Sequence, residues 1–350
     1  MRRIFFFFIP LVVIMVTVSM SFKIVDQDNV YKQKLSDYDF FKGVLKLQIP
    51  ANGVYPYELN SPLFSDYAHK LRFISLPDGS TFNYNPDSVF QFPVGTSIVK
   101  TFYYLNDERN PEKGRRLMET RILLHEADGW KSLPYIWNDE QTEAELEVAG
   151  GTAEVSYKNE RGEKKQFLYS VPNMNQCKSC HERNGTIMPI GPSARQLNKD
   201  QEYDTAVKNQ LRYWADVGIL KLLPEQLSEI PALVDYRNQE HNINDRAKAY
   251  LDINCAHCHN KAGQAQTSGL YLDWKTTNQT AYGFYKTPIA AGRGSGDLKF
   301  DIDPGKPDES ILLHRMKSTD PGVMMPELSR SLIHQEGVEL ISEWIKGMKQ

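Results

Sequence analysis

Apolar and polar positions alternate differently in successive parts of the chain. From about residue 30 to 170, short segments rich in β-branched and aromatic residues are separated by turn sequences such as Pro77-Asp78-Gly79, a pattern typical of strands. The clearest segments are LRFISL (71–76), SIVKTFYYL (97–105), METRILLHE (118–126) and AEVSY (153–157). They predict a mainly-β domain at 30–170, built as a sheet or a barrel.

Two local features of this region allow more specific predictions. AEVSY (153–157) and QFLYSV (166–171) flank the polar loop KNERGEKK, which predicts a β-hairpin. The segment DEQTEAELEVA (139–149) predicts a helix, because Asn138 is placed to cap it and Gly150 to end it.

After Pro172 the apolar residues follow helical spacing. In 204–220 they are Val207, Leu211, Trp214 and Val217, which predict an amphipathic helix. DRAKAYLDI (245–253) and HQEGVELISEWIKGM (334–348) predict two further helices. Domain boundaries are expected near 170 and 242, giving segments 171–242 and 243–350.

The first residues predict a targeting segment. Arg2 and Arg3 precede an unbroken apolar run over 4–18, which is short for a spanning helix, and small residues follow. We expect residues 1–21 to be a cleaved signal peptide, with an uncleaved membrane anchor through 4–18 as the alternative. The chain is therefore expected to be exported, in the periplasm or facing it.

Charge excludes one class of partner. The formal net charge is −3, and removing the leader takes away Arg2 and Arg3 and no acidic residue, which leaves −5. Nucleic acid would require a basic face, so no nucleic-acid partner is expected. Hydrophobic residues make up 41% of the chain, as in a globular protein.

All four cysteines lie in two copies of Cys-x-x-Cys-His: Cys177, Cys180 and His181, then Cys255, Cys258 and His259. Two cysteines three residues apart on a helical turn can attach to the two vinyl groups of one porphyrin. The next histidine is then carried over the ring, where it can bind iron. The pattern predicts two covalently attached haem c groups.

Other uses of paired cysteines fit less well. A zinc ribbon places its two pairs about 15–20 residues apart, whereas 74 residues separate Cys180 from Cys255. A thioredoxin-like pair or a structural disulfide does not require a histidine after each motif.

The sixth ligand of the second haem is predicted to be Met325, followed by proline in PGVMMPELSR (321–330). This extended loop could wrap to the other haem face and leave room for the last helix. Met324 is the alternative. His314 and His334 lie in helix-like segments and are expected to be surface histidines.

The sixth ligand of the first haem is less clearly indicated. Met188 is only seven residues beyond His181, so reaching the opposite face would need a tight turn. The alternatives are His69, His125, His241 or an open site. Because Pro172 should block a helix, SVPNMNQ (170–176) predicts a strand and a turn, so the first haem should lean on the β domain. His257 is expected to be exposed.

Several stretches of the chain, from about residue 50 to the end, resemble a family of exported bacterial dihaem c-type cytochromes with a β-rich N-terminal region. These stretches are: YPYELNSPLFSDYAHK, FPVGTSIVKTF, ETRILLHEADGWKSLPYIWND, VPNMNQCKSCH, PIGPSARQLN, AYLDINCAHCH, RGSGDLKFDIDPGKPDESILLHRM and STDPGVMMPEL. The C-terminal part is similar to class I cytochrome c. The resemblance implies haem c as cofactor and names no substrate.

The resulting expectation is an α+β multidomain protein with a mainly-β domain followed by two small α-helical cytochrome c-like haem domains. Its expected function is electron transfer between redox partner proteins. Two alternatives stay open: a peroxidase-like or other small-molecule haem oxidoreductase with an open first haem, and a redox sensor whose β domain binds a partner. Asp66, His69, His125 and Glu126 are isolated polar groups, expected to be surface residues or to form a satisfied hydrogen bond.

Overall fold

A computed structural model describes residues 31–203, 206–328 and 330–349 of the protein. The predicted leader (1–21) and anchor (4–18) lie outside these residues. None of the described helices combines the length and the apolar character that crossing a membrane requires.

The described part of the chain contains sixteen strands and six α-helices. The strands are β1 (Phe41–Lys42), β2 (Ile49–Pro50), β3 (Val54–Pro56), β4 (His69–Ser75), β5 (Phe82–Asn83), β6 (Ser97–Leu105), β7 (Arg115–Glu126), β8 (Gly129–Trp137), β9 (Ala144–Leu146), β10 (Gly151–Lys158), β11 (Lys164–Val171), β12 (Glu182–Arg183), β13 (Thr186–Ile187), β14 (Asp200–Tyr203), β15 (Ala206–Asn209) and β16 (Leu220–Lys221). The helices are α1 (Met174–His181), α2 (Ala194–Leu197), α3 (Gln210–Asp216), α4 (Ile243–Asn254), α5 (Ile311–Met316) and α6 (Gln335–Lys346).

The centre of the fold is a six-stranded antiparallel sheet with strand order β3-β4-β6-β7-β8-β9. Phe73, Val99, Ile122 and Leu133 are aligned across β4, β6, β7 and β8 and are almost fully buried. Because side chains alternate between the faces of a strand, this row forms one face of the sheet. The N-terminal segment covers it through residues such as Leu35.

The opposite face of the sheet is covered at two ends by different segments. At one end, Ile74, Ile98 and Leu123 belong to a core that includes Leu211 and Trp214 of α3. At the other end, the hairpin β10-β11 contributes a second core through its inward side chains: Val155, Tyr157, Tyr169 and Val171. The space between these cores lies beside the first cysteine motif, since α1 contacts β8.

The strand predictions for 30–170 are confirmed, and so is the hairpin, which pairs β10 with β11. The helix predicted over 139–149 is wrong. The Asn138 side chain instead accepts hydrogen bonds from the amides of Thr142 and Glu143 in a turn, and Ala144 then pairs with Trp137 as part of β9. Ala144 is fully buried in the core beneath the sheet, so tertiary packing overrides the local helix preference.

The predicted fold class is also wrong, because the described chain is mostly β with six small helices and lacks two small α-helical domains. Segment 171–242 shows the difference most clearly. It contains short two-stranded pairs, and its α3 shares a core with the central sheet. Of the described residues in the helix predicted over 204–220, only Gln210–Asp216 are α-helical, while Val207 lies in β15 and is 67% exposed.

Segment 243–350 has the helices expected near its two ends. Asn242 caps α4 by accepting from the Asp245 amide, and α4 packs against α6 around Leu251 and Ile341. Gly337 of α6 lies so close to Tyr250 of α4 that a Cβ there would overlap the tyrosine hydroxyl. The two helices therefore cross at a glycine because no larger residue fits.

Two polar contacts join this C-terminal region to the central sheet region. Asn254, the last residue of α4, accepts a hydrogen bond from the Phe64 amide at 2.8 Å. Asp66 accepts from the amides of Ser331 and Leu332 at 2.9 and 2.8 Å. Both acceptors are buried, so these contacts fix the relative position of the two regions.

Candidate functional site

The second cysteine motif continues the turn at the end of α4. The Cys255 amide donates to the Leu251 carbonyl, and the His259 amide donates to the Cys255 carbonyl, each at 2.9 Å. The Asn260 side chain donates to the Ala256 carbonyl at 2.7 Å. These bonds hold both cysteines and the histidine on one compact turn.

This turn forms part of the wall of a cavity of ≈ 490 Å³. Cys255, Cys258, His259 and Met325 all line it, so the structure brings together the four residues predicted to hold the second haem. Much of the remaining wall is aliphatic: Leu63, Ile190, Leu270, Leu272, Ile311, Leu312 and Val338. A volume of this size is within the range of pockets that enclose small molecules and cofactors.

Met325 reaches the cavity on a loop that arginine side chains anchor. Arg330 donates to the carbonyls of Met325 and Ser318 at 2.9 and 2.8 Å. The Met325 amide donates to the Arg315 carbonyl at 3.1 Å. Met324 is buried (8% exposed) but is not part of the cavity wall. The loop therefore places Met325 at the cavity wall, while Met324 is buried elsewhere in the protein interior.

His334 differs from its prediction. It was expected on the surface, but only 12% of its side chain is exposed, and it lines the same cavity. Its ring stacks on Phe64 with 4.1 Å between ring centroids, and its Nδ1 lies 3.1 Å from the Tyr250 hydroxyl. His314 is partly buried in α5, with its ring against Gly296. The neighbours of both rings come from distant parts of the chain, which local sequence does not show.

The first cysteine motif lies inside a helix, and the prediction that Pro172 excludes one is wrong. Pro172 precedes the N-cap, where proline does not remove an intrahelical hydrogen bond. Asn173 and Gln176 form a capping box: each side chain accepts a hydrogen bond from the other's amide, at 2.8 and 2.9 Å. The helix α1 then runs through Cys177, Cys180 and His181.

The hairpin β12-β13 returns the chain to His181 immediately after the motif. The Met188 amide donates to the His181 carbonyl at 2.8 Å, and the Met188 carbonyl lies 3.0 Å from His181 Nδ1. A carbonyl in that position makes Nδ1 the protonated nitrogen and leaves Nε2 free to bind a metal. The Met188 backbone thus lies on the side of the ring opposite to the metal-binding nitrogen, and the Met188 side chain is 40% exposed.

The two cysteine motifs are in direct contact. The ligand atoms of Cys180, His257 and Cys258 all lie within 4.8 Å of one another, and the Cys258 thiol donates to the Ser179 carbonyl at 3.3 Å. His257 was expected to be exposed, but it is 5% exposed because the first motif packs over it. Segments 74 residues apart in sequence therefore form one continuous site.

Burial sets the protonation of the motif side chains. It lowers the pKa of both His181 and His259 to about 4, although the Met188 carbonyl opposes the shift at His181. Burial raises the pKa of the Cys255 thiol to about 12 and also raises that of Cys177. At neutral pH both imidazoles are neutral, as a metal ligand must be.

The remaining candidate residues have structural partners. Asp66 is 3% exposed and accepts its hydrogen bonds from the 331–332 backbone and from the Ser331 hydroxyl. His69 pairs with Glu108 at 2.9 Å, and His125 stacks on Trp130 and faces the Pro93 carbonyl. His241 is exposed, while Glu126 is partly buried and pairs with Gly129 at the end of β7. Asp66, His69 and His125 thus form satisfied hydrogen bonds.

Comparison with protein-family models, curated proteins and solved structures finds no match.

The donor set around the cavity fits a covalently bound haem. Cys255 and Cys258 supply two thiols on one turn, His259 a neutral imidazole and Met325 a thioether, all at one largely aliphatic cavity. His259 Nδ1 is buried and has no hydrogen-bond partner within the described residues. Lys286 also lines the wall but pairs with Asp301 at 3.1 Å, so Arg315 and Arg330 are the lining residues that could face an anionic group.

Sequence reasoning missed two groups that shape the site. Arg330 anchors the Met325 loop through contacts with backbone carbonyls that only the folded chain brings near. The Asn173 and Gln176 pair was visible, because Asn-x-x-Gln is a capping-box pattern, and it would have predicted α1.

Proposed function

We propose that the protein is an exported dihaem c-type cytochrome that transfers electrons between redox partner proteins. The observation that supports this most strongly is the convergence of Cys255, Cys258, His259 and Met325 on one cavity. In this role Cys255 and Cys258 would hold the second haem covalently, and His259 and Met325 would supply a nitrogen and a sulfur ligand to its iron. Bound haem supplies one-electron chemistry between ferrous and ferric iron.

The first haem would be held by Cys177 and Cys180, and His181 would supply a nitrogen ligand to its iron. The Met188 carbonyl orients His181 through Nδ1, which is how a backbone acceptor fixes a histidine that binds metal. Met188 is then poorly placed to be the sixth ligand, because its backbone lies on the wrong side of the imidazole. The role of its thioether as an iron ligand stays a prediction.

Contact between the motifs supports transfer within the molecule. Cys180 and Cys258 each belong to a different haem site, and their sulfur atoms are within 4.8 Å. Porphyrin edges attached to these sulfurs would be neighbours, which suits electron transfer from one haem to the other. The net charge of −5 expected after leader removal favours a partner with a basic rim.

The proposal is tested by mass spectrometry of the protein exported in a host that matures c-type cytochromes. We expect the wild type to carry two haem groups, and the double variants Cys177→Ala/Cys180→Ala and Cys255→Ala/Cys258→Ala to carry one each. The control is Ser179→Ala, which changes the first motif without removing a thiol. A wild type without added haem would overturn the proposal.

A second candidate is a haem enzyme that reacts with a small molecule at an open first site. The position of Met188 favours it, because the Met188 carbonyl faces His181 Nδ1 and the residue is 40% exposed. Carbon monoxide binding to the reduced protein separates the two functions. Two six-coordinate irons, neither of which binds carbon monoxide, would support the electron carrier, whereas ready binding at the first iron would support the enzyme.

A further inference from the structure

Four basic side chains cluster on the face of the central sheet that lies beside the first cysteine motif. Arg72, Lys100 and Arg121 are directly aligned across β4, β6 and β7, and Lys70 is two residues from Arg72 on the same face. The charged groups of Lys70, Lys100 and Arg121 lie 5.9, 4.7 and 4.4 Å from the centre of one ring, that of Phe102. Like charges directly opposite each other on neighbouring strands destabilise a sheet.

The carboxylates around this basic cluster compensate only part of its charge. Glu119 holds Arg121 through bonds of 2.7 and 2.5 Å. Glu58, 41% exposed, lies 3.4 Å from Arg72. Within the described residues, Lys100 has no hydrogen bond or ion pair, and the Lys70 ammonium group donates only to the Leu63 carbonyl. The four basic side chains therefore have two carboxylates, Glu58 and Glu119, within ion-pair distance.

Arg72 also has an unused donor. Its side chain is 5% exposed, and its Nη2 is buried without a hydrogen-bond partner. A buried guanidinium nitrogen without a partner carries a substantial desolvation cost. Burial, together with the charge of Arg72, holds the pKa of Lys70 and of Lys100 well below the usual range. An anion bound among these groups would offset both costs.

The basic cluster lies beside the first motif. Helix α1, which carries Cys177, Cys180 and His181, contacts β8, and Arg121 on the neighbouring strand β7 pairs with Pro134 of β8. An anion held by Lys100 and Arg72 would therefore lie near any group that the first motif holds.

We infer that Lys70, Arg72, Lys100 and Arg121 form a binding site for oxyanions, of the carboxylate class, beside the first motif. Two sources have this chemistry: the two propionates of the first haem, and a free oxyanion that enters from solution. The propionate source rests on the proposed function, but the excess of basic over acidic side chains in the cluster does not. The β-rich region would then be part of the site rather than a spacer.

The test is the thermal unfolding midpoint of the purified full-length protein and its Lys100→Met variant. Without a bound anion, Lys100→Met relieves repulsion and should raise the midpoint. With a bound anion it removes an attractive charge, and we expect the midpoint to fall by at least about 2 °C. Lys165→Met is the control, because Lys165 is an exposed lysine on β11 that pairs with Glu163 in the preceding turn. Lys100→Arg should restore the wild-type midpoint.

A sulfate titration identifies whether the bound oxyanion is a haem propionate or a free oxyanion from solution. If a free oxyanion is bound, sulfate should raise the wild-type midpoint saturably and have little effect on Lys100→Met. If propionates occupy the site, sulfate should change the midpoints of the wild type and of Lys100→Met equally. The redox potential of the first haem should then become pH-dependent in Lys100→Met. If Lys100→Met does not fold, Lys70→Met is expected to show the same sign. A higher midpoint in either variant at every sulfate concentration would overturn the inference.

Haem content of the same samples separates this inference from the proposed function. Two attached haems with a stabilised Lys100→Met would overturn the oxyanion site and leave the cytochrome proposal intact. No attached haem, with sulfate stabilising the wild type more than Lys100→Met, would support the oxyanion site and overturn the cytochrome proposal.

Discussion

The same five-residue pattern occupies two different environments in this protein. The second motif follows α4, faces a largely aliphatic cavity and has Met325 on an anchored loop. The first motif lies within α1, packs on the sheet beside four basic side chains, and is followed by a hairpin that returns Met188 to His181. The comparison teaches that one motif can lie in two different surroundings, and that these surroundings decide which further side chains lie near its histidine.

The largest expected effect is at Met325, the proposed sixth ligand of the second haem. Met325→Ala should let the reduced haem protein bind one more carbon monoxide per molecule, and the potential of the second haem should fall because thioether ligation raises it. Absorption spectroscopy and a redox titration measure both effects.

Met324→Ala is the matched control for this variant. Met324 is a buried side chain outside the cavity wall, so its truncation should cost about 2–5 kcal/mol of stability while carbon monoxide stoichiometry stays at the wild-type value. The opposite pattern, with Met324→Ala opening the second site, would show that the two methionines have been assigned wrongly.

The surroundings of the second motif should lose more stability in acid than those of the first, because they include His334. Burial lowers the pKa of His334 to about 4, so between pH 6.5 and 4 the unfolded chain binds a proton that the folded chain does not. Stability should therefore fall as the pH drops through this window, by about 3 kcal/mol in total for this group.

His334→Phe keeps an aromatic ring against Phe64 and removes the titration. Chemical denaturation at pH 7 and at pH 4 should show a smaller loss of stability in this variant than in the wild type. An identical loss in both proteins would assign the acid sensitivity to other groups.

A smaller effect should follow from widening the helix crossing that supports the second site. A Cβ in Gly337→Ala would overlap the Tyr250 hydroxyl, and the resulting displacement should cost about 2 kcal/mol. Gly347→Ala at the end of α6 is the control, since the nearest atom to its Cβ would be 3.5 Å away. Equal denaturation midpoints for the two variants would contradict the close crossing.

The smallest expected effect concerns the link between the two regions. Asp66→Asn weakens the acceptor of the Ser331 and Leu332 bonds and should cost about 1–2 kcal/mol. Hydrogen exchange of those two amides should accelerate by the factor that corresponds to this loss of free energy. The control Asp308→Asn removes an 84% exposed carboxylate and should change stability by less than about 0.5 kcal/mol. An unchanged exchange rate in Asp66→Asn would show that the Asp66 hydrogen bonds do not limit the opening of the backbone at Ser331 and Leu332.

Prediction from sequence succeeded where one local pattern controls the outcome. The strands at 97–105 and 118–126 and the hairpin at 153–171 follow from alternation and turn residues. Helices were predicted in the segments 245–253 and 334–348, and the structure has α4 at Ile243–Asn254 and α6 at Gln335–Lys346. The prediction failed at 139–149 and across 204–220, because burial of Ala144 and pairing of β14 with β15 outweigh the local helix preference.

The sequence by itself determined the spacing of each cysteine pair, the histidine after it and the alternation of the sheet strands, because these depend on neighbouring residues. Only the tertiary structure decided that Cys180 lies against Cys258, that Met325 rather than Met324 faces the cavity, and that Arg72, Lys100 and Arg121 form one row. Strand register and the packing of segments distant in sequence produce these contacts, and residue spacing along the chain does not encode them directly.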